Sequence, residues 1–167
     1  MSELLVEAGA NRNVVCAVGG IVENNVERVF DFTVAEDVVT NFLKGEPAVT
    51  GYDVHQGPWG QTGSYRTVYF GDQSAREQVN FIQRPFVFDY QLTDFSWELG
   101  DLCDLAVNQF LFRPVGPRTQ VKFYYQFRAR NAEAVQPLHE FATSTWLAWM
   151  TSYLDATKEA LDKDPWS

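Results

Sequence analysis

The chain has little of what membrane, secreted and disulfide-stabilised proteins use. It contains only two cysteines, Cys16 and Cys103, far apart in the sequence, which favours a reduced intracellular pair over a disulfide scaffold. No apolar run reaches the roughly 18 residues needed to span a bilayer. The first 13 residues lack the basic start and apolar run of a secretory signal peptide. We therefore expect a cytoplasmic protein without membrane insertion.

Positive charge is scarce as well. The chain has 13 Lys and Arg against 22 Asp and Glu, which gives a net charge of −9 at pH 7. Nucleic acids and anionic membranes repel such a protein unless a basic stripe offsets its charge. Five basic residues cluster loosely near the C-terminal third, and the solvated side of a hairpin explains them better than a binding stripe. They are Arg113, Arg118, Lys122, Arg128 and Arg130. We expect no nucleic-acid partner.

Side chains for metal or nucleophilic chemistry are few. The chain has two histidines, His55 and His139, and a metal site needs three or more converging ligands. With Asp53 they form the one set of candidate ligands, and we predict no metal and no cofactor. The glycines around Trp59 are not followed by the Gly-Lys-Ser/Thr of a phosphate-binding loop. Neither cysteine has a neighbouring base that would activate a thiol.

Aromatic side chains, by contrast, are abundant. Phe, Trp and Tyr make up 15% of the 167 residues, and the hydrophobic fraction of 46% argues against disorder. The length suits a single domain with a sizeable core. We assign residues 14–162 to that domain, residues 1–13 to a leader and residues 163–167 to a tail.

Residues 133–162 have the period of one long amphipathic helix with an unusually broad apolar side. The residues on that side are Leu138, Ala142, Thr145, Trp146, Trp149, Tyr153 and Ala160, widened by Phe141, Met150, Leu154 and Leu161. A side this broad needs a concave partner. We expect the strands that precede the helix to wrap around it.

The preceding chain predicts one strand, two short helices and six more strands joined by hairpins. The first strand covers residues 14–22, and the helices begin near Val26 and Glu36, the first one capped by Asn24 or Asn25. The second helix is expected to end by Lys44. Period-two alternation predicts the later strands at residues 48–55, 64–70, 75–83, 86–97, 102–112 and 119–130. The predicted class is α+β, with a curved antiparallel sheet of about seven strands wrapped around the C-terminal helix.

This order of elements resembles the helix-grip superfamily of START-like, pollen-allergen-like and polyketide cyclase-like proteins, often called SRPBCC. The resemblance covers residues 14–162 and is carried by residues 21–44, 57–63, Arg66, Val68, Gly71-Asp72, 77–79, 85–90 and the closing helix. It is most similar to the polyketide cyclase/dehydrase-like branch. The resemblance implies a cavity for a small hydrophobic ligand. Members include carriers, receptors, cyclases and chaperone activators, so the fold implies no single reaction.

Alternation along the strands assigns side chains to the interior. Inward positions are mainly aromatic or apolar, and the opposite positions are mainly polar. The predicted ligand-binding residues are Val68, Phe70, Val79, Phe81, Phe88, Tyr90, Phe110, Phe123, Tyr125, Trp146, Trp149 and Tyr153. Phe86 and Leu92 share the parity of Phe88. In residues 102–112 the facing stays open, because Ala106, Asn108, Phe110 and Phe112 compete with Leu105, Val107 and Leu111.

Two charged residues, Arg66 and Glu77, fall on the apolar face of adjacent strands. A buried charge is expensive unless it is paired, so we expect them to pair across the hairpin or with a ligand. A structural ion pair, a polar anchor for a ligand and acid–base chemistry all stay open. His139, on the flank of the helix's apolar side, is a third candidate for acid–base chemistry. The hydroxyls of Tyr90 and Tyr125 need partners, and a ligand carbonyl is one possibility.

Together these features predict a cavity that binds a small aromatic, polyketide-like or lipid-like molecule. In an enzymatic version, similar to polyketide cyclases/aromatases, a positioned acid or base would promote cyclisation or loss of water. One alternative is a non-catalytic carrier or sensor. Another is a protein-interaction module of the same fold, whose mark would be an exposed apolar patch, and the broad helix side leaves room for a homodimer.

Overall fold

Eight strands form one antiparallel sheet in the computed structural model, which describes residues 3–8, 12–41 and 48–162. The strands are β1 (Glu3–Ala8), β2 (Asn13–Val22), β3 (Gly51–Gln56), β4 (Tyr65–Phe70), β5 (Gln73–Gln83), β6 (Val87–Thr93), β7 (Cys103–Val115) and β8 (Arg118–Ala129). Their order is β1-β2-β8-β7-β6-β5-β4-β3, so β1 and β3 form the two edges. The predicted α+β helix-grip architecture is confirmed, with β1 added from the segment assigned to the leader.

Two short helices follow β2, as the sequence predicts. Helix α1 covers Val26–Val34, and the Asn25 side chain caps it by accepting a hydrogen bond from the backbone N–H of Arg28 at 2.9 Å. Helix α2 covers Val38–Asn41. The rest of the predicted second helix, residues 42–44, lies outside the described residues. No helix within the described ranges is long and apolar enough to cross a membrane.

The closing helix, residues 132–162, runs as one helical segment of changing pitch. A 3₁₀ turn (Ala132–Ala134) leads into α4 (Val135–Phe141), a π-helical turn (Ala142–Trp146) and α5 (Leu147–Asp162). A further short helix, α3 (Leu99–Leu102), precedes β7. The predicted apolar side of the closing helix is confirmed, since all of its large members except the partly buried Phe141 are buried. They are Leu138, Trp146, Trp149, Met150, Tyr153, Leu154 and Leu161.

The inner face of the sheet packs against this helix and forms the core. On β7 the buried set is Ala106, Asn108, Phe110 and Phe112, which settles the alternation that the sequence leaves open. Packing between rings is dense: the rings of Phe110 and Phe123 lie 4.1 Å apart, and Phe123 lies 5.2 Å from Tyr153 on the helix. Aromatic side chains therefore fill most of the space between sheet and helix.

A bulge between β5 and β6 reverses the predicted facing of Phe81. Val79 pairs with Tyr90, but Phe81 pairs with Asp89, so the register shifts between them. A bulge breaks strict alternation, and Phe81 lies on the outer face with 51% of its surface exposed. Ile82 instead packs against the core. The expectation that Phe81 lines the interior is wrong.

The start and end of β6 also differ from the prediction. The strand begins at Val87, so Phe86 lies in the preceding turn and is 44% exposed. The expectation that Phe86 shares the inward face of Phe88 is wrong, because a turn residue does not continue the alternation of the strand. The strand ends at Thr93, four residues before the predicted end at Trp97.

Candidate functional site

Arg66 on β4 and Glu77 on β5 lie directly opposite each other in the interior. The Nε of Arg66 donates to Oε1 of Glu77 at 3.2 Å, and the two side chains are only 2% and 5% exposed. The prediction that they pair across the hairpin is confirmed. The pair is buried, so both charges have lost their hydration and depend on protein partners.

Arg66 has three further partners, which come from different parts of the chain. Its Nη1 donates to the backbone carbonyl of Glu36, between α1 and α2, at 2.7 Å. Its guanidinium carbon lies 3.9 Å from the ring centre of Trp59 and 5.2 Å from that of Tyr52. These distances suit cation–π contacts. Arg66 thus holds the α1–α2 connection and the loop before β4 against the sheet.

Glu77 is the acidic group of the interior. Burial raises the pKa of its carboxyl, and the charge and hydrogen bond of Arg66 oppose that rise without cancelling it. A carboxyl whose pKa is raised in this way holds its proton at a higher pH than an exposed glutamate does. Raised carboxyl pKa values occur both in active sites and in structural ion pairs.

Two tyrosines face each other close to this pair. The hydroxyls of Tyr90 and Tyr125 are 3.2 Å apart and form one hydrogen bond. Burial, the largest cause, raises both pKa values well above the ordinary tyrosine value, so both hydroxyls keep their protons at neutral pH. Asn108 lies between them in the strand register, and its side-chain oxygen has no hydrogen-bond partner among the described residues.

The closing helix contributes two tryptophans opposite the tyrosines. The rings of Trp146 and Trp149 stack at 4.8 Å, and Trp146 meets Tyr125 edge-on at 5.2 Å. Trp146 is only 1% exposed. Its indole N–H has no hydrogen-bond partner in the part of the chain that the structure describes. A buried donor without a partner is unusual in a folded protein.

These groups border a cavity of about 10 Å³, which is room for about one water molecule. The lining residues are Val39, Val49, Val68, Phe70, Glu77, Tyr90, Leu92, Tyr125, Trp146 and Trp149. The other inward residues of the prediction, Arg66, Val79, Phe88, Phe110, Phe123 and Tyr153, are buried but do not line it. In this structure the interior is a core with a small cavity, whereas the resemblance implies a larger hollow.

Four lining or supporting residues are absent from the predicted ligand-binding set. Leu92 lies on the inward face of its strand, and strand alternation alone is enough to assign it to the interior. Val39 on α2 and Val49 before β3 lie in segments with no clear period, and they close one side of the cavity. Trp59 lies in a loop whose glycines indicate only a turn, and its side chain is buried against Arg66.

His139 does not join these residues. It is half-buried on α4, which packs against β1, β2, β8 and α3, whereas Arg66 and Glu77 lie on β4 and β5. His139, the third candidate for acid–base chemistry, therefore lies apart from Arg66 and Glu77, because the strand order places β4 and β5 on the other half of the sheet.

The candidate metal ligands do not converge. His55 Nε2 lies 2.7 Å from the Thr67 hydroxyl, and the Tyr69 hydroxyl donates to Asp53 at 2.8 Å. Asp53 and His55 are both exposed on the edge strand β3, apart from His139 on α4. Within the described ranges, no group of three or more His, Cys, Asp or Glu side chains could hold a metal ion.

The sequence itself matches no protein-family model and no curated protein. Solved structures do match it. Norcoclaurine synthase from Thalictrum flavum aligns with a TM-score of 0.71 and 14% identity, over 96% of this chain and 95% of that one. Major latex-like protein 151 from Panax ginseng aligns with a TM-score of 0.69 and 13% identity, over 89% of this chain and 97% of that one. Protein Ms6760 from Mycobacterium smegmatis aligns with a TM-score of 0.64 and 12% identity, over 95% of this chain and 97% of that one.

This chain adopts the helix-grip fold that the sequence predicts. The alignments cover nearly the whole length of each chain, so the likeness extends to the complete sheet and the closing helix. At these identities the likeness concerns the fold, and the polyketide cyclase-like branch stays a prediction. The cavity lies between the inner face of the sheet and the closing helix.

Proposed function

We propose that this helix-grip protein binds a small, mostly aromatic molecule between the sheet and the closing helix. The observation that carries the proposal is the convergence of polar side chains on one cavity whose remaining lining is apolar. Glu77, Tyr90, Tyr125 and Trp146 all border that cavity. Buried charges add little to stability compared with well-packed apolar residues. A ligand with a polar group gives these side chains a hydrogen-bonding partner, which apolar packing does not.

Binding requires the interior to open, because the cavity of about 10 Å³ is too small for an aromatic ring. One side of the wall is formed by Val39, on the short helix α2, together with Val49. The bond from Arg66 to the carbonyl of Glu36 holds this side against the sheet. We propose that the ligand enters here by moving α2 outward.

A ligand of one or two rings suits the rigid part of the wall. The stacked rings of Trp146 and Trp149 present a flat apolar surface, and burial of apolar area contributes about 25 cal/mol per Å². The Thalictrum flavum norcoclaurine synthase structure contains dopamine and hydroxybenzaldehyde. That fold can therefore accommodate small aromatic compounds, which supports the same size class here.

Carrier or sensor activity is favoured over acid–base catalysis. Glu77 is already engaged by Arg66. The tyrosines stay protonated because burial raises their pKa values, so they cannot act as bases at neutral pH. His139 lies on another part of the fold. A cyclase or dehydratase would need a second acid or base beside Glu77, and the lining residues supply none besides the tyrosines.

The test is the unfolding midpoint of the protein measured with a panel of aromatic and lipid compounds. A ligand present at about 100 times its Kd stabilises the folded state by about 2.7 kcal/mol, which raises the midpoint by roughly 5–11 °C for a chain of this size. Val49→Phe, which fills the cavity edge, should abolish the shift. Val107→Phe, a matched change on the outer face, should retain it. No shift with any compound, or equal shifts in both variants, would contradict the proposal.

A second candidate is the protein-interaction module, which the exposed side chains of Phe81 and Phe86 favour. Phe81 lies near the end of β5 and Phe86 in the turn that leads to β6, at 51% and 44% exposure. If this candidate holds, we expect a homodimer that sedimentation velocity detects at rising concentration. Phe81→Ser combined with Phe86→Ser should then give a folded monomer whose unfolding midpoint no longer depends on protein concentration. A wild-type monomer at every concentration would reject the dimer.

A further inference from the structure

Hydrogen-bond counting reveals spare donors around the cavity. Tyr90 and Tyr125 carry two hydroxyl protons between them, and their single mutual hydrogen bond uses one. The other proton makes no hydrogen bond among the described residues, and the side-chain oxygen of Asn108, which lies between the tyrosines in the register, is also unpaired. The indole N–H of Trp146 likewise has no partner there. Tyr90, Tyr125 and Trp146 line the same cavity, so two donors remain for whatever occupies it.

The charge of the site is already balanced. Arg66 and Glu77 form a pair of opposite charges, and the groups that line the cavity beside them are neutral tyrosine, tryptophan and aliphatic side chains. A ligand with its own charge would have to lose its hydration without gaining a counter-ion. An uncharged ligand avoids that cost.

We propose that the site selects uncharged aromatic compounds with a hydrogen-bond acceptor, of the aryl ketone, aldehyde or quinone class, and that Trp146 is the residue that sets this selectivity. This inference rests on the proposed function, since it specifies the ligand of the same cavity. The indole N–H donates to the acceptor oxygen, and the spare tyrosine proton supplements it. Trp149, stacked on Trp146 at 4.8 Å, presents the adjoining apolar surface to the ring.

The contacts of Trp146 within the protein do not replace such a bond. Its ring meets Tyr125 and Phe127 edge-on at 5.2 and 5.8 Å. An N–H directed at a ring face is a weak interaction, and a carbonyl oxygen accepts a stronger hydrogen bond in a dry site. Replacing the N–H contact with a ring by a hydrogen bond to a carbonyl oxygen therefore favours binding of the ketone over its parent hydrocarbon.

The test compares 1-indanone with indane, which differ by one carbonyl, by titration calorimetry on the full chain. We expect the ketone to bind about tenfold or more tightly. Trp146→Phe retains an aromatic ring but removes the N–H, so it should reduce the preference to about twofold. Trp97→Phe, the same substitution outside the cavity lining, should preserve it.

A measurement on the wild-type protein covers the case in which Trp146→Phe fails to fold. The carbonyl stretch of ¹³C-labelled 1-indanone should move to lower frequency on binding, because a hydrogen bond weakens the C=O bond. An unshifted band overturns the inference. So does equal binding of ketone and hydrocarbon, or a preference that survives Trp146→Phe, although the proposed function stands in each of these cases. If neither compound binds, both the inference and the proposed function for one-ring and two-ring ligands fail.

Discussion

Replacing Glu77 by leucine leaves the guanidinium of Arg66 in the interior without its counter-ion. Both side chains of this pair are almost fully buried, at 2% and 5% exposure, and an arginine cannot shed its charge by losing a proton. Its remaining contacts, the Glu36 carbonyl and the Trp59 ring, carry no negative charge. Breaking a buried pair costs about 3–5 kcal/mol. For a chain of this size we expect the unfolding midpoint to fall by roughly 6–20 °C.

The reverse change, Arg66→Met, has a cost that depends on pH. Here the buried group is Glu77, which can become neutral by taking up a proton. Keeping a carboxyl with a reference pKa of about 4.3 in its neutral form costs about 3.7 kcal/mol at pH 7 and about 1 kcal/mol at pH 5. The destabilisation by Arg66→Met should therefore shrink by up to about 2.7 kcal/mol between pH 7 and pH 5. The destabilisation by Glu77→Leu should not shrink towards pH 5, because the arginine left behind keeps its charge at both pH values.

The double variant, Arg66→Met with Glu77→Leu, removes both charges. Apolar replacements of a buried pair are often neutral or stabilising, but the Glu36 carbonyl loses its donor, which costs about 1–1.5 kcal/mol. We expect the double variant to lie within about 2 kcal/mol of the wild type and above both single variants. Urea unfolding followed by tryptophan fluorescence at pH 5 and pH 7 measures all four proteins. Additive effects, or an Arg66→Met cost that is the same at both pH values, would refute this account of the pair.

Three further predictions test the acid, the bulge and the thiols. Burial raises the folded-state pKa of Glu77, so its contribution to the free energy of unfolding is complete below the unfolded pKa and is lost as pH rises through the folded one. Glu77→Gln should remove that fall from a pH series of urea unfolding curves, and an unchanged slope would exclude the raised pKa. Phe81→Ser should change the free energy of unfolding by no more than about 0.5 kcal/mol, whereas Ile82→Ser should cost about 1–2 kcal/mol; the opposite ranking would rule out the bulge. Burial also raises the pKa of Cys16 and Cys103 to about 12. A disulfide reagent at pH 8 should therefore label both thiols in urea and neither thiol in the folded protein. Fast labelling of the native chain would contradict this prediction.

Local features of the chain account for most of the fold. Alternation placed Arg66 and Glu77 on the inner face, where the structure shows them paired with each other. Asn24 and Asn25 were both identifiable as candidate caps, because an amide side chain can accept from the first free N–H groups of a helix, and Asn25 is the one that does so. Such features depend on neighbours a few residues apart, which the sequence displays directly. The resemblance to the helix-grip superfamily rested on the same order of elements.

Features that depend on partners distant in the chain were not predictable in this way. The bulge that exposes Phe81 is a property of how β5 pairs with β6, and no period within β5 reveals it. The position of His139 depends on the order of strands across the sheet, which places α4 away from β4 and β5. Val39 and Val49 reach the cavity from segments that carry no periodic signal.

The sequence by itself determined that aromatic side chains line the inner face of a sheet that faces one long helix, because strand and helix periods are local. Only the tertiary structure decided how much space remains, since that depends on how the rings of residues such as Phe110, Phe123 and Tyr153 interlock. It also decided which donors stay unpaired, because a hydrogen bond to Trp146 or Tyr125 depends on distances between side chains far apart in the chain.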